Sequence, residues 1–202
     1  MRSNRFALLA ILLYTTAASP NFTASLTALG DLPGGDFEST ALGVSSDGST
    51  VVGYSNSASG IEAFRWTSGG GIVGLGDLPG GDFGSVARGV SADGSVVIGD
   101  GGSASGQEAF RWTADSGLIG LGDLPGGSFM SSARSVSGDG STVVGLSEFT
   151  DGVEAFRWTA ASGMTGLGHL LGGAYFSIAN GVSADGSTIV GLSVRPSREA
   201  FR

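Results

Sequence analysis

The chain has 202 residues, of which 38 are glycine and 41% are hydrophobic, and its formal net charge is −8. The lack of cysteine excludes disulfide bonds and thiolate metal sites, and the acidic balance argues against nucleic acids and anionic lipid surfaces as partners. Glycine far above its usual share of about 7%, with only 5 prolines, indicates many tight turns between short buried segments.

The chain opens with the features of a secretory signal peptide, which we assign to residues 1–18. Arg2 and Arg5 precede an apolar run at residues 6–14, and small residues at 16–18 form a cleavage region. Nine apolar residues are too few to cross a bilayer as a helix. We therefore expect a secreted or cell-surface protein, with no membrane insertion after the signal is removed.

A repeat of 46 residues fills the chain after the signal peptide. The motif LGDLPGG stands at residues 29–35, 75–81 and 121–127, and the variant LGHLLGG stands at 167–173. S-x-D-G-S and EAFRWT follow in each copy, and the last copy stops at EAFR. We assign residues 19–202 to one repeat domain, with units of about 40–85, 86–131, 132–177 and 178–202.

Each unit has the pattern of four short strands. In the first unit these are residues 40–45, 49–55, 61–67 and 71–78. Asp47-Gly48 is predicted to be a two-residue hairpin connection between the first two strands. Pro79 and two glycines then break the pattern. Residues 25–32 match only a fourth strand, so we predict a lone outer strand there.

Four antiparallel strands in about 46 residues make a unit the size of a β-propeller blade. A β-solenoid is disfavoured because its strands pair in parallel with the next coil, whereas each unit here carries a hairpin signal. We predict an all-β, propeller-like array of about four four-stranded antiparallel blades. Residues 25–32 could pair with residues 198–202 and close a four-bladed ring. We favour an incomplete ring, because the third strand of the last copy is cut short.

The repeated pattern EAFRW, GLGDLPGG, GVSADGS and VVG resembles the extracellular HAF repeat family over almost the whole chain after the signal peptide. The resemblance implies a secreted repeat protein with propeller-like blades and no established activity. The naming triplet of that family is His-Ala-Phe, whereas this chain has Glu-Ala-Phe. No role of the histidine is therefore transferred to Glu62, Glu108, Glu154 or Glu199.

Residues present in every repeat are expected to build the blade rather than to catalyse a reaction. The aspartates of S-x-D-G-S are predicted to shape hairpin turns, since the ligand pattern of an EF-hand is absent. They are Asp47, Asp93, Asp139 and Asp185. The tryptophans are predicted to fill the space between blades, and the neighbouring arginines to bind a carboxylate or carbonyl. They are Trp66, Trp112, Trp158, Arg65, Arg111 and Arg157. We expect no metal, no calcium requirement and no cofactor.

Variable loops are the expected place for a ligand. One aromatic residue recurs in each crossover loop, on the same face as the loops between second and third strands. These residues are Phe37, Phe83, Phe129 and Tyr175. The rings could stack on a sugar, grip a peptide or plug the gap between blades. We treat them as hypothetical ligand-binding residues for an unknown extracellular protein or glycan.

The alternative is a secreted propeller enzyme, such as a glycan hydrolase, which would need acids and bases that break the repeat symmetry near the axis. The residues that depart from the repeat are Glu38, Asp100, Glu148, Asp151, His169 and Tyr175. They show no recognisable paired spacing, and a lone histidine is a weak signal for a metal or a base. We therefore interpret the chain as a non-catalytic binding or scaffold module. A truncated product without independent function is the third interpretation, because the last copy stops one residue before the expected tryptophan.

Overall fold

The structure, a computed structural model, describes residues 25–172, 175–195 and 197–202; the predicted signal peptide lies outside these residues. The described residues form four antiparallel sheets in chain order, which we call blades 1 to 4. Blade 1 contains β1 (Gly34–Val44), β2 (Thr50–Ser57), β3 (Gly60–Thr67) and β4 (Gly71–Gly74). Blade 2 contains β5 (Gly80–Val90), β6 (Val97–Ser103), β7 (Gly106–Thr113) and β8 (Gly117–Gly120). Blade 3 contains β9 (Ser131–Val136), β10 (Thr142–Phe149), β11 (Gly152–Thr159) and β12 (Gly163–Gly166), and blade 4 contains β13 (Ser177–Val182), β14 (Ile189–Arg195) and β15 (Ser197–Phe201). No helix in the described part of the chain is long and apolar enough to cross a membrane.

The predicted all-β array of antiparallel blades is confirmed, with different strand ends. In blades 1 and 2 the first strand already begins within the motif LGDLPGG, at Gly34 and Gly80. A bulge makes this possible, because the pairing with β2 jumps from Gly34 opposite Ser57 to Ser39 opposite Ser55. The fourth strand of blade 1 ends at Gly74, so the predicted strand at residues 71–78 is too long. The apolar pattern of residues 75–78 belongs instead to the connection between blades.

Each Asp-Gly pair lies at the tip of a hairpin, but the connection is longer than two residues. In blade 1 the backbone N–H of Gly48 donates to the carbonyl of Ser45 at 2.9 Å, and the N–H of Ser45 donates to the carbonyl of Thr50 at 2.9 Å. Gly48 has φ of 73°, and no residue other than glycine has positive φ in the described part of the chain. The turn is therefore not the primed type, which needs positive φ at both central residues.

The core of the protein lies in the seams between successive blades. The seam between blades 1 and 2 buries Val52 and Ala63 from blade 1 against Ala87, Val97 and Phe110 from blade 2. Corresponding residues fill the other two seams, namely Ile98, Ala109, Ala133, Val143 and Phe156, then Val144, Ala155, Ala179, Ile189 and Phe201. The first strands of successive blades contact one another, so they form the inner layer around the axis. Each seam thus repeats one packing arrangement.

The ring of blades is open, as we expected from the sequence. Residues 25–32 form no strand, which corrects the predicted lone outer strand. Leu32 lies 4% exposed against blade 1, where its N–H donates to Ser55 Oγ at 3.0 Å. β15 pairs with β14 and not with residues 25–32, so the alternative four-bladed ring with a shared blade is not formed. In the described residues, blade 4 has three strands.

Candidate functional site

The glutamate of each of the first three Glu-Ala-Phe triplets binds the motif that connects two blades. A carboxylate oxygen of Glu62 accepts a hydrogen bond from the N–H of Gly76 at 3.0 Å. Glu108 accepts the N–H of Gly122 at 2.9 Å, and Glu154 accepts the N–H of Gly168 at 2.7 Å. Sequence reasoning left this glutamate without a role. The constant separation of 14 residues between each glutamate and its glycine was the available signal.

A buried serine ties each blade to the blade before it. Ser131 Oγ accepts the N–H of Ala109 at 2.9 Å and donates to the carbonyl of Gly122 at 2.6 Å. Ser85 and Ser177 make the same pair of bonds in the other seams. All three serines are at most 1% exposed. Sequence reasoning missed this role because the partners come from another blade.

The aspartates of S-x-D-G-S lie at the face formed by the first hairpin turns and the turns between third and fourth strands, which we call the turn face. Asp93 Oδ1 accepts the hydroxyl of Ser91 at 2.6 Å and the N–H of Ser95 at 3.0 Å. The hydrogen bond from Ser91 is the main cause that lowers the pKa of Asp93 to about 2. Asp47 and Asp185 have the same bonds and a pKa of about 2, and the pKa of Asp139 is lowered as well. No group of three or more metal-ligating side chains occurs in the described residues. The hydrogen bonds of these aspartates have the geometry of a turn.

The tryptophans and arginines of EAFRWT line grooves on the turn face. Trp66, Trp112 and Trp158 are half-buried, whereas Phe64, Phe110 and Phe156 are at most 1% exposed. The phenylalanines, and not the tryptophans, are therefore the fully buried aromatic residues of the seams. Trp112 and Trp158 pack against the buried clusters of their seams, so these indoles help to fill the space between blades, as predicted, without being fully buried.

Only one of the three repeated arginines has the expected carbonyl partner within the described residues. Arg65 Nε donates to the carbonyl of Gly94 at 3.2 Å, and its Nη2 donates to Thr50 Oγ1 at 3.2 Å. The guanidinium groups of Arg111 and Arg157 make no hydrogen bond to the described part of the protein, and they line two open grooves of about 660 and 550 Å³.

The recurrent aromatic residues lie at the opposite face, which we call the loop face, and three of them, Phe83, Phe129 and Tyr175, lie at the mouths of the seams. Phe37 is 85% exposed, Tyr175 is 51% exposed, Phe83 is 39% exposed and Phe129 is half-buried. Their backbones close the seams. The carbonyl of Tyr175 accepts the N–H of Val153 at 3.1 Å, and a Cβ on Gly60 would lie 3.3 Å from the carbonyl oxygen of Phe83. The backbone therefore plugs the gap while most of the rings remain accessible.

Among the residues that break the repeat, Asp100 is buried and fully engaged. It is 5% exposed, forms an ion pair with Arg88 and accepts bonds from Gln107 Nε2 at 2.8 Å and Ser132 Oγ at 2.7 Å. The hydrogen bond to Asp100 raises the pKa of Arg88. Asp100 therefore joins three strands of blade 2 to the first strand of blade 3, and it acts as a fixed anion and not as a free acid or base.

The other departures from the repeat are spread over the loop face. Glu38 accepts a bond from Asn56 Nδ2 at 3.2 Å. His169 and Tyr175 are in contact, with ring centroids 4.4 Å apart at an interplanar angle of 63°. Glu148 and Asp151 lie at the end of β10 and in the following loop. The structure thus brings His169 to Tyr175 and leaves Asp100 in a separate network.

A cavity of about 380 Å³ lies beside His169, lined by Leu170, Ile189, Phe201 and Arg202. In the seam between blades 2 and 3, the corresponding space is occupied by Trp158 and Met164, which pack against the buried cluster. The cavity is therefore an unfilled part of a seam and not a distinct ligand site.

No protein-family model and no curated protein matches the sequence. Solved structures of TolB are similar to it. TolB from Acinetobacter baumannii aligns with a TM-score of 0.59 and 15% identity, over 81% of this chain and 39% of that chain. A structure described as TolB from Agrobacterium tumefaciens aligns with a TM-score of 0.52 and 16% identity, over 81% of this chain and 57% of that chain. The chain thus spans less than two thirds of either structure, and the likeness shows a propeller-type fold alone.

Proposed function

We propose that the chain is a secreted, non-catalytic binding module of the HAF repeat type that holds an extracellular glycan or protein segment on its loop face. The observation that carries the proposal is the series of accessible aromatic rings, one per blade, of which Phe37, Phe83 and Tyr175 are at least 39% exposed. The backbones of Phe83, Phe129 and Tyr175 are held by the three seams, whereas Phe37 has the same place in blade 1, where no described blade precedes it.

The chemistry of the loop face favours a polymer over a small molecule. Aromatic faces stack on the apolar faces of sugar rings and on peptide side chains, and such contacts need area more than depth. Two grooves at this face, of about 310 and 450 Å³, are wide open and lined by polar loop residues such as Ser59 and Glu148. Carboxylates such as Glu38 and Asp36 can accept hydrogen bonds from hydroxyl or amide groups of the ligand.

The state of Asp100 supports a non-catalytic role over the glycan hydrolase alternative. A general acid or base has to exchange a proton with the substrate, and it needs room to reach it. Asp100 is instead buried and holds Arg88, Gln107 and Ser132. Its departure from the repeat is explained by this network between blades 2 and 3.

Affinity electrophoresis in gels that contain neutral or acidic soluble polysaccharides tests the glycan arm, and selection from a phage-displayed peptide library tests the protein arm. We expect Phe37→Ala and Tyr175→Ala to weaken binding without changing the melting temperature. Val73→Ala is the matched control, because Val73 is an exposed apolar residue on the outer strand β4. Equal binding by all three variants would show that the loop face is not the ligand site.

A further inference from the structure

Every seam between blades uses the same directed set of hydrogen bonds. At the turn face, the N–H of Ser46 donates to the carbonyl of Ala92 at 3.1 Å. Ala92 donates in the same way to Gly138 at 3.0 Å, and Gly138 donates to Ala184 at 2.9 Å. Deeper in the seams, the third strand of one blade donates to the serine of the next, as Ala109 does to Ser131. In this repeated set the preceding blade supplies the donors and the following blade supplies the acceptors. Two bonds that each occur in a single seam run the other way, from Ser132 Oγ to Asp100 and from the N–H of Val182 to Ser135 Oγ.

In the described part of the chain, blade 1 and blade 4 each have one face on which no blade packs. On blade 1 this face is the acceptor side of a seam. Ser85, Ser131 and Ser177 are at most 1% exposed, whereas the corresponding Ser39 is exposed. Ala87, Ala133 and Ala179 are 0% exposed, whereas the corresponding Ala41 is exposed. Val44 beside them is 61% exposed. We call the surface formed by Ser39, Ala41 and Val44, with the carbonyl of Ser46, the acceptor edge.

Blade 4 carries the donor side of a seam, also uncovered. Val52, Ile98 and Val144 are 0% exposed, whereas the corresponding Val190 is 47% exposed. Ala63, Ala109 and Ala155 are 0% exposed, whereas the corresponding Ala200 is exposed. The donors that correspond to those of the inner seams are the N–H groups of Ala184 and Ala200. We call the surface formed by Ala184, Val190 and Ala200 the donor edge.

The two edges fit each other and do not fit themselves. Each edge presents the small apolar residues that face one another in the three existing seams, and donors on one edge match acceptors on the other. Two acceptor edges would place carbonyl and hydroxyl oxygens against each other without N–H groups between them. Contact between unlike edges of identical chains is a heterologous, head-to-tail interface.

We propose that a second copy of this chain docks head to tail, with its acceptor edge packed on the donor edge of the first copy. The interface continues the seam that the chain forms three times internally. It covers apolar residues of two sheet faces that are otherwise open to water. The proposal is independent of the ligand on the loop face.

Arginine substitutions at the two edges test the docking. Ala41→Arg places a long charged side chain where the inner seams accept only a buried methyl group, and Ala200→Arg does the same on the donor edge. Both positions are exposed in the single chain, so the fold is expected to persist with an unchanged melting temperature in dilute solution. Leu42→Arg is the matched control, because blades 2 and 3 carry the exposed Arg88 and Arg134 at this position.

Light scattering after size-exclusion chromatography of the full chain, over a concentration series, gives the mass. We expect the native chain and Leu42→Arg to reach at least twice the chain mass of 20.0 kDa. Ala41→Arg and Ala200→Arg alone are expected to associate more weakly by about tenfold or more.

Mixing the two edge variants gives the decisive result. Ala41→Arg keeps a native donor edge and Ala200→Arg keeps a native acceptor edge, so the mixture should form a one-to-one dimer that neither variant forms alone. A native chain that stays monomeric, a mixture that stays monomeric, or a Leu42→Arg variant that dissociates like Ala41→Arg would each overturn the proposal.

Discussion

The serine that links two blades provides the most direct test of the seam architecture. Ser131→Ala removes a hydroxyl that accepts the N–H of Ala109 and donates to the carbonyl of Gly122, at a site that is 0% exposed. A buried donor or acceptor left without a partner costs about 1–3 kcal/mol. Two such groups, one of them in the half-buried Gly122, give an expected loss of about 2–4 kcal/mol.

Urea and thermal unfolding of dilute protein measure this loss. For a domain of this size, 1 kcal/mol corresponds to about 2–4 °C in Tm, so Tm should fall by about 4–16 °C. Ser39→Ala is the matched control, because this serine has the same place in the repeat but is exposed and donates only to the carbonyl of Gly30. We expect it to cost less than about 0.5 kcal/mol. Equal losses for the two variants would refute the role assigned to the buried serine.

Three further outcomes follow from the packing and the hydrogen bonds. Phe110→Ala should cost about 3–5 kcal/mol in urea unfolding, and Trp112→Ala should cost less, because Phe110 is 0% exposed and Trp112 is half-buried. The pKa of Asp93 lies at about 2 instead of 3.8, because Ser91 and the N–H of Ser95 bind its charged form. The stability from this lowered pKa is fully present above about pH 4 and is lost as the pH falls through about 2. Asp93→Asn should therefore flatten the fall of Tm between these pH values, as melting at a series of pH values would show. Asp100→Ala should cost about 1–3 kcal/mol, because the 40% exposed Arg88 loses its anion and the buried Ser132 loses its acceptor. The double variant Arg88→Leu with Asp100→Leu should recover most of that loss, because leucine holds these two positions in other repeats, at Leu42 and Leu146.

Each of these expectations has a contradicting result. If Trp112→Ala loses more free energy of unfolding than Phe110→Ala, the indole stabilises the seam more than the buried phenylalanine does. If the Tm of Asp93→Asn falls with pH as steeply as that of the native chain, Asp93 does not cause the loss of stability in acid. A double variant as unstable as Asp100→Ala would show that Gln107 and Ser132, and not the charge of Arg88, determine the cost.

The fold was predictable because its signals are local and repeated. The glycine after each turn aspartate, the apolar run of the second strand and the proline between repeats each specify a backbone feature within a few residues. The fourth strand was predicted too long because Leu75 and Leu78 continue its apolar character. In the structure these residues are not part of a strand. Leu78 packs in the seam instead and is 5% exposed.

The partners across each seam were beyond the reach of the sequence alone. The bond between Ser131 and Ala109 spans 22 residues and joins two blades, and nothing local in the sequence marks it. Phe110 and Trp112 lie on the same side of one strand, so their alternation predicts equal burial. Their burial differs because of their positions along the strand, since Trp112 lies near the turn face, at an open groove. Asp100 was recognised as a departure from the repeat, but its three partners lie on three different strands.

The identity of the seams also has a consequence for how the gene can change. Deleting 46 codons, or inserting 46 codons copied from a neighbouring repeat, removes or adds one blade and brings together two faces that already match. Unequal recombination between the near-identical repeats produces such changes in a single event. The shared serine, alanine and glycine contacts need no compensating substitution at the new junction, and only the bond between Asp100 and Ser132 is specific to one seam. Blade number can therefore vary among related genes while the sequence of each blade stays under the same constraint.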